Sequence, residues 1–238
     1  MPGLTLLIHL YYPGSWPLLE DRCRAVLRKA SRIIVTACHD DVLDEIQPPK
    51  KDNTLVRLKV PNKGKDIGGK LAAFSYYMNF CEKTEYIALL HDKVSPQSIN
   101  ADYWSQQLYG LFSKEGLHKA LRLLEQDRLV GIVGAKTFLK NEFMPSEGTF
   151  TTTNHQLLME MIRDYRLHGR IYDFIAGTIF IGRSRIFEQF FSAHSPLDAR
   201  AKLETGNVLD LAAGTYTHSW ERLLCFLAED QGLTIKGI

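Results

Sequence analysis

Strand-like and helix-like runs alternate along the first 135 residues of this 238-residue chain, and that order is the strongest constraint on its fold. Residues 4–10 read as a strand, and 16–29 as a helix with Ser15 in position to cap it. Strands at 32–37 and 55–60 follow, then a helix at 69–81 and a strand at 86–90 that is apolar throughout, as expected of a strand covered on both faces. Helices at 101–112 and 117–126 and a strand at 129–133 complete the series. A repeated β-α order of this kind predicts an α/β protein with a mainly parallel sheet flanked by helices.

The regular pattern stops near residue 136. Residues 136–153 form a long polar and aromatic connection, of the length expected of a lid or binding loop. A helix at 154–168, a strand at 173–182 interrupted by Gly177-Thr178, a helix at 184–191, a second irregular stretch at 192–215, a helix at 219–229 and a strand at 233–238 follow. One domain spanning 1–238 with an irregular C-terminal half fits this order better than two domains.

Lys and Arg number 29 against 27 Asp and Glu, so the net charge of +2 excludes a general polyanion binder. The basic residues cluster, however. Lys50, Lys51, Arg57, Lys59, Lys63, Lys65 and Lys70 face only Asp52 and Asp66 between positions 50 and 70, which suits one anionic ligand better than a nucleic acid. Four widely spaced cysteines, Cys23, Cys38, Cys81 and Cys225, have neither zinc nor redox-pair spacing and read as reduced thiols in a cytoplasmic protein. The first apolar run is a strand rather than a signal peptide, and no run reaches the ~20 apolar residues of a membrane span. Any membrane association is therefore expected to be peripheral.

Four stretches carry candidate chemistry. Pro61-Asn62-Lys63-Gly64-Lys65-Asp66-Ile67-Gly68-Gly69-Lys70 joins a strand to a helix. Its glycines allow close backbone approach, and a helix N-terminus adds N–H donors, so it suits a phosphate or diphosphate. The same residues match the start of the P-loop pattern G-x-x-x-x-G-K, but Leu71 stands where that pattern needs a Ser or Thr for magnesium. Leu90-His91-Asp92-Lys93 ends the fourth strand, where an acidic residue can hold a metal or a ribose or simply meet water. His218, Glu221 and Arg222 share one face of the last helix, offering either a general base or a surface ion pair. Gly177 interrupts a strand, as a ligand approach or a bulge would require.

Taken in order, these stretches resemble the rhamnan synthesis F family of bacterial polysaccharide glycosyltransferase-like proteins. The resemblance is carried by His9-Leu10-Tyr11-Tyr12, by 61–68, by Leu90-His91-Asp92-Lys93, by Val130-Gly131-Ile132-Val133-Gly134, by 174–180 and by His218-Ser219-Trp220-Glu221-Arg222. It implies a GT-A-like fold, with a nucleotide-sugar half at 1–135 and an acceptor half at 136–238. It implies a transferase that moves a sugar, such as rhamnose or another deoxyhexose, from a dTDP- or UDP-sugar to a glycan or lipid-linked glycan in cell-wall or O-antigen synthesis.

By that correspondence the donor is bound by His9, Asn62, Lys63, Gly64, Lys65, Asp66, His91, Asp92 and Lys93. Glu221, with His218 as its rival, is the base of an inverting transfer. Gly177, Thr178 and Arg222 line the acceptor side. His91 and Lys93 stand where metal-binding carboxylates are usual, so the expectation is transfer without a cofactor, or with a divalent cation (Mg or Mn) bound weakly at Asp92, while Lys63, Lys65 and Lys93 partly replace the ion. The alternatives are a catalytically silent glycan-binding or scaffold domain and a P-loop-like nucleotidase.

Overall fold

The computed structural model describes residues 3–50, 53–92, 101–210 and 213–238. The chain runs β1 (Leu4–Leu10), α1 (Ser15–Arg22), α2 (Arg24–Lys29), β2 (Arg32–Ala37), α3 (Asp40–Asp44), β3 (Thr54–Lys59), α4 (Lys65–Phe80) and β4 (Tyr86–His91). It continues with α5 (Ala101–Gly110), α6 (Lys114–Gln126), β5 (Val130–Gly134), a 3-10 turn (Lys136–Phe138), β6 (Leu139–Asn141), β7 (Phe143–Met144), β8 (Thr149–Phe150) and α7 (His155–Asp164). β9 (Asp173–Ile175), β10 (Phe180–Arg183), α8 (Ser184–Ala193), α9 (Pro196–Ala201), α10 (Tyr216–Asp230) and β11 (Thr234–Gly237) complete it.

Seven strands form the central sheet in the order β11-β5-β10-β4-β1-β2-β3. All neighbours are parallel except β10, which runs antiparallel to both β4 and β5. β1, β4 and β5 are buried along their whole length because helices cover both faces of the sheet. On one side α4, α8 and α10 pack together, with Phe74 of α4 against Phe187 and Phe191 of α8. α1, α2, α5 and α6 form the second helical group. Trp220, Leu223, Leu224 and Leu227 of α10 enter the core, as their spacing on the sequence predicts.

Several boundaries differ from the sequence reading, each for a local reason. The expected helix at 16–29 is two helices broken at Cys23, whose φ of −111° leaves the helical region. Ser15 is the first helical residue rather than the cap, and Gly14 at φ 79° occupies the capping position. α4 begins at Lys65, four residues earlier than expected, so the second half of the glycine-lysine stretch is helix and not turn. The expected strand at 173–182 is two strands in different sheets: β9 pairs with β6, whereas β10 enters the central sheet. Gly177 at φ 83° and Thr178 at φ 52° lie in the left-handed region, and no ladder continues through it. α3 and α9 were not foreseen. Of the four free cysteines, Cys23 and Cys225 are buried while Cys38 and Cys81 are only half-buried. No helix among the described residues is long and apolar enough to cross a membrane.

Two helical glycines test this packing in opposite directions. A Cβ on Gly68 would lie 1.7 Å from the Lys63 carbonyl oxygen, whereas one on Gly110 would meet nothing within 4 Å. Gly68→Ala is expected to cost about 1–3 kcal/mol in urea unfolding, and Gly110→Ala to stay within about 0.5 kcal/mol of the parent.

Candidate functional site

The strand order reverses between β1 and β4: β1 leads outward to β2 and β3, and the chain then returns to β4 on the other side of β1. Ligands of open α/β sheets bind at the carboxyl ends of the strands at such a point. His9 and His91, the last register partners of β1 and β4, stand side by side there. α4 crosses directly above them, close enough that a Cβ on Gly69 would lie 2.0 Å from the His9 ring.

Lys70 sits at the centre of this crossing with no exposed surface. Its ammonium donates to Asp66 Oδ2 at 2.8 Å, to His91 Nδ1 at 3.0 Å and to the Thr178 carbonyl at 2.9 Å. Burial works to raise the Asp66 pKa, but the Lys70 charge and hydrogen bond outweigh it and hold this carboxyl well below the usual carboxylate range. His9 is buried too. The Thr36 hydroxyl donates to the Ile8 carbonyl at 3.3 Å, so His9 Nδ1–H donates to Thr36 Oγ1 at 2.9 Å. His9 Nε2 is then a buried acceptor without a hydrogen-bond partner among the described residues. Burial, with Lys70 and Arg200 assisting against Asp66, lowers its pKa from 6.5 to about 4, so the ring is neutral at neutral pH.

Asp92, just past β4, braces the start of α1. Its Oδ2 accepts from Tyr11 N–H, Tyr12 N–H and the Ser15 hydroxyl, each at 2.8 Å. Burial raises the Asp92 pKa, and the Tyr12 and Tyr11 amides oppose the rise. The loop so held presents the Tyr11 ring edge-on to Tyr12 and His39, with centroids 5.1 and 5.2 Å away. A divalent cation suits these donors poorly: Asp92 Oδ2 already serves three donors, and Asp66 and His91 both face an ammonium. Among the described residues no group of three or more His, Cys, Asp or Glu side chains could hold a metal ion. Lys93 lies outside the described residues.

The turn before α4 is a braced structure and not an open cradle. Gly64 N–H donates to the Glu204 carbonyl at 2.7 Å, Gly206 N–H donates to the Asn62 carbonyl at 3.0 Å, and Lys63 bridges to Thr205. The Asn62 side chain reaches Asn207 at 3.2 Å. Arg200 spans both ends of the stretch, donating to the Pro61 carbonyl at 2.8 Å and the Gly68 carbonyl at 3.0 Å. Residues 65–70 are helical and Lys70 is enclosed, so the phosphate-cradling loop that a P-loop needs does not form.

α10 brings the third group of residues to the same place. The Glu204 carboxylate caps its first turn, accepting from Tyr216 N–H, Thr217 N–H and the Thr217 hydroxyl. Glu221 Oε1 accepts from Gly177 N–H at 2.5 Å, one residue from the carbonyl that Lys70 holds. Thr215 Oγ1 lies 2.6 Å from His218 Nδ1. Burial lowers the His218 pKa, and the Lys65 charge lowers it further, so the start of α4 and the start of α10 lie within electrostatic reach of each other. Arg222 is only 8% exposed. It forms a bidentate pair with Glu142 at 2.6 and 2.8 Å, donates to the His218 carbonyl, and lies over the Phe174 ring. It therefore ties the long 136–153 connection to α10. The sequence gives the wider Glu221-to-Arg222 pair at 3.4 Å but not the stronger partner, Glu142.

Neither a protein-family model nor a curated protein matches this sequence. The geometry brings His9, Asp66, His91, Asp92, Gly177, Thr178, His218, Glu221 and Arg222 to one end of the sheet, with Asn62, Lys63, Gly64 and Lys65 at its rim. Sequence reasoning missed Lys70 as the hub, and it missed Glu204, Arg200 and Glu142 as braces. The i, i+4 spacing of Asp66 and Lys70 was the one available signal. A surface groove of about 600 Å³ between α2 and α6, flanked by exposed Lys29, Lys114, His118 and Arg122, shares no residue with this cluster.

The depressed values of His9 and Asp66 share a sign. The unfolded chain binds protons that the folded protein excludes, so stability is full near neutral pH and falls on acidification. The His9 contribution is lost from about pH 6.5 down to about pH 4, an effect of roughly 3 kcal/mol, and that of Asp66 is lost below the ordinary carboxylate range. Urea unfolding at pH 7, 5.5 and 4 is expected to show this loss, and His9→Asn, which keeps a donor for Thr36, is expected to flatten the upper part of the curve.

Proposed function

We propose that this protein is a GT-A-type glycosyltransferase resembling the rhamnan synthesis F family, inverting in mechanism, which uses a dTDP- or UDP-sugar donor and a glycan or lipid-linked glycan acceptor. The observation that carries this reading is the Lys70 ammonium. Through it the donor-side Asp66 and His91 meet the Gly177-Thr178 turn on which Glu221 rests. Two groups of residues far apart in sequence thus meet at the strand-order reversal, where an activated small molecule is expected.

In this reading the nucleotide lies over the carboxyl ends of β1 and β2, beside Tyr11 and His39. Lys63 and Lys65 face the diphosphate from the rim, where fixed positive charge stabilises a leaving group that gains negative charge as the bond breaks. The acceptor hydroxyl gives its proton to Glu221 and its oxygen attacks the anomeric carbon. The bond from that carbon to the diphosphate oxygen breaks with its electron pair, releasing the nucleoside diphosphate. Glu221 is favoured over His218 as the base. His218 Nδ1 is engaged with Thr215 Oγ1 at 2.6 Å, whereas the Glu221 carboxylate keeps lone pairs beyond the one that accepts from Gly177 N–H.

A catalytically silent glycan-binding domain is the second reading, favoured by the full use of Asp92 Oδ2 in bracing the β1–α1 loop. Thermal shift against nucleoside diphosphates and their sugars separates the two, since a ligand at 100 times its Kd adds about 2.7 kcal/mol of stability. Stabilisation by dTDP or UDP with hydrolysis or transfer of the sugar supports the enzyme; stabilisation by glycans alone supports the binding domain. Glu221→Gln is expected to keep nucleotide binding and to lower transfer by about 10²–10⁴-fold; unchanged turnover would move the base role elsewhere. Transfer is also expected to survive EDTA, and loss with EDTA followed by recovery with manganese would show that a divalent ion serves the leaving group after all.

A further inference from the structure

Thr178 holds an unfavourable conformation. It is a β-branched residue at φ 52°, it is 1% exposed, and its hydroxyl has no hydrogen-bond partner among the described residues. Left-handed backbone is costly for such a side chain and persists only where surrounding contacts fix it. Three contacts do so here. Thr178 N–H donates to the Ile175 carbonyl at 3.0 Å, Lys70 donates to the Thr178 carbonyl at 2.9 Å, and Gly177 N–H donates to Glu221 at 2.5 Å. Lys70 is fully enclosed and cannot touch a ligand in this arrangement.

We infer that Lys70 is a positioning residue: by holding the Thr178 carbonyl it keeps the Gly177-Thr178 turn left-handed, and the turn in turn sets the Glu221 carboxylate. The role follows from where strain and support meet. Without the ammonium, Thr178 relaxes toward the extended region and carries the Gly177 N–H away from Glu221. A glycine at 178 occupies the left-handed region without cost, so the turn then survives without Lys70. The catalytic consequence rests on the reading of Glu221 as the base; the mechanical one does not.

The test uses a property of the sequence. Ala176-Gly177 and Ala213-Gly214 are the two Ala-Gly steps in the chain, so protein labelled with 13C-carbonyl alanine and 15N-glycine gives two HNCO signals. Gly214 is the internal control. Asp66→Asn/Lys70→Met removes the ammonium without leaving a buried unpaired carboxylate, which keeps the variant folded. It is expected to shift the Gly177 signal upfield and speed its amide exchange on the order of tenfold, with Gly214 unmoved. Adding Thr178→Gly is expected to restore the Gly177 signal. A role confined to supporting α4 would show no such rescue.

An unmoved Gly177 signal in the double variant, or failure of Thr178→Gly to restore it, overturns the inference. Transfer from a dTDP-sugar is expected to fall about a hundredfold in the double variant and to recover in part in the triple. If the parent protein transfers no sugar while the Gly177 signal behaves as stated, the positioning role stands and the enzymatic reading fails.

Discussion

A lysine ammonium with no access to water demands compensation, and the architecture around Lys70 supplies it from three directions. An uncompensated buried charge costs several kcal/mol, more than most single contacts in a domain return. Asp66 on the same helix, His91 at the end of β4 and the Thr178 carbonyl must therefore all be in place together. That requirement fixes the height of α4 over the sheet, the rotation of its first turns and the path of the chain between β9 and β10.

The same logic extends around the carboxyl edge of the sheet, where loops leave backbone donors and acceptors that no ladder satisfies. Charged side chains fill those gaps. Asp92 gathers two amides and a hydroxyl of the β1–α1 loop, Glu204 caps α10, Arg200 takes two carbonyls of the stretch before and within α4, and Arg222 pins the long connection through Glu142. Several residues that look functional by type thus also act as braces, and they hold other candidate groups in place. Glu221 is one of these, with one oxygen fixed by a backbone amide.

The parallel part of the fold was legible because β1, β2, β4 and β5 are continuous apolar runs separated by amphipathic ones, and that pattern has one economical solution. The second half was less so. β9 and β10 read as one strand because apolar alternation carries no sign of φ, and the left-handed pair at Gly177-Thr178 sends them to different sheets. The start of α4 was misplaced because Gly68 and Gly69 look like turn residues; they lie within the helix and are glycines because Lys63 and His9 leave no room for a Cβ. Asp66, His91, Thr178 and Glu221, which the structure brings together around Lys70 and the Gly177-Thr178 turn, were named from type and position. Lys70 was missed because a lysine in a basic stretch gives no hint of burial, and Glu142, Arg200 and Glu204 because their partners lie between 12 and 139 residues away.

The pairing of residues 62–64 with 204–206 has a consequence for how the molecule comes into being. Contacts so distant along the chain close late, after local helices and neighbouring strands have formed. The glycine-lysine stretch is made well before residues 200–207, which brace it. The parallel strands β1 to β4 can thus condense before the turn at 61–64 acquires its shape.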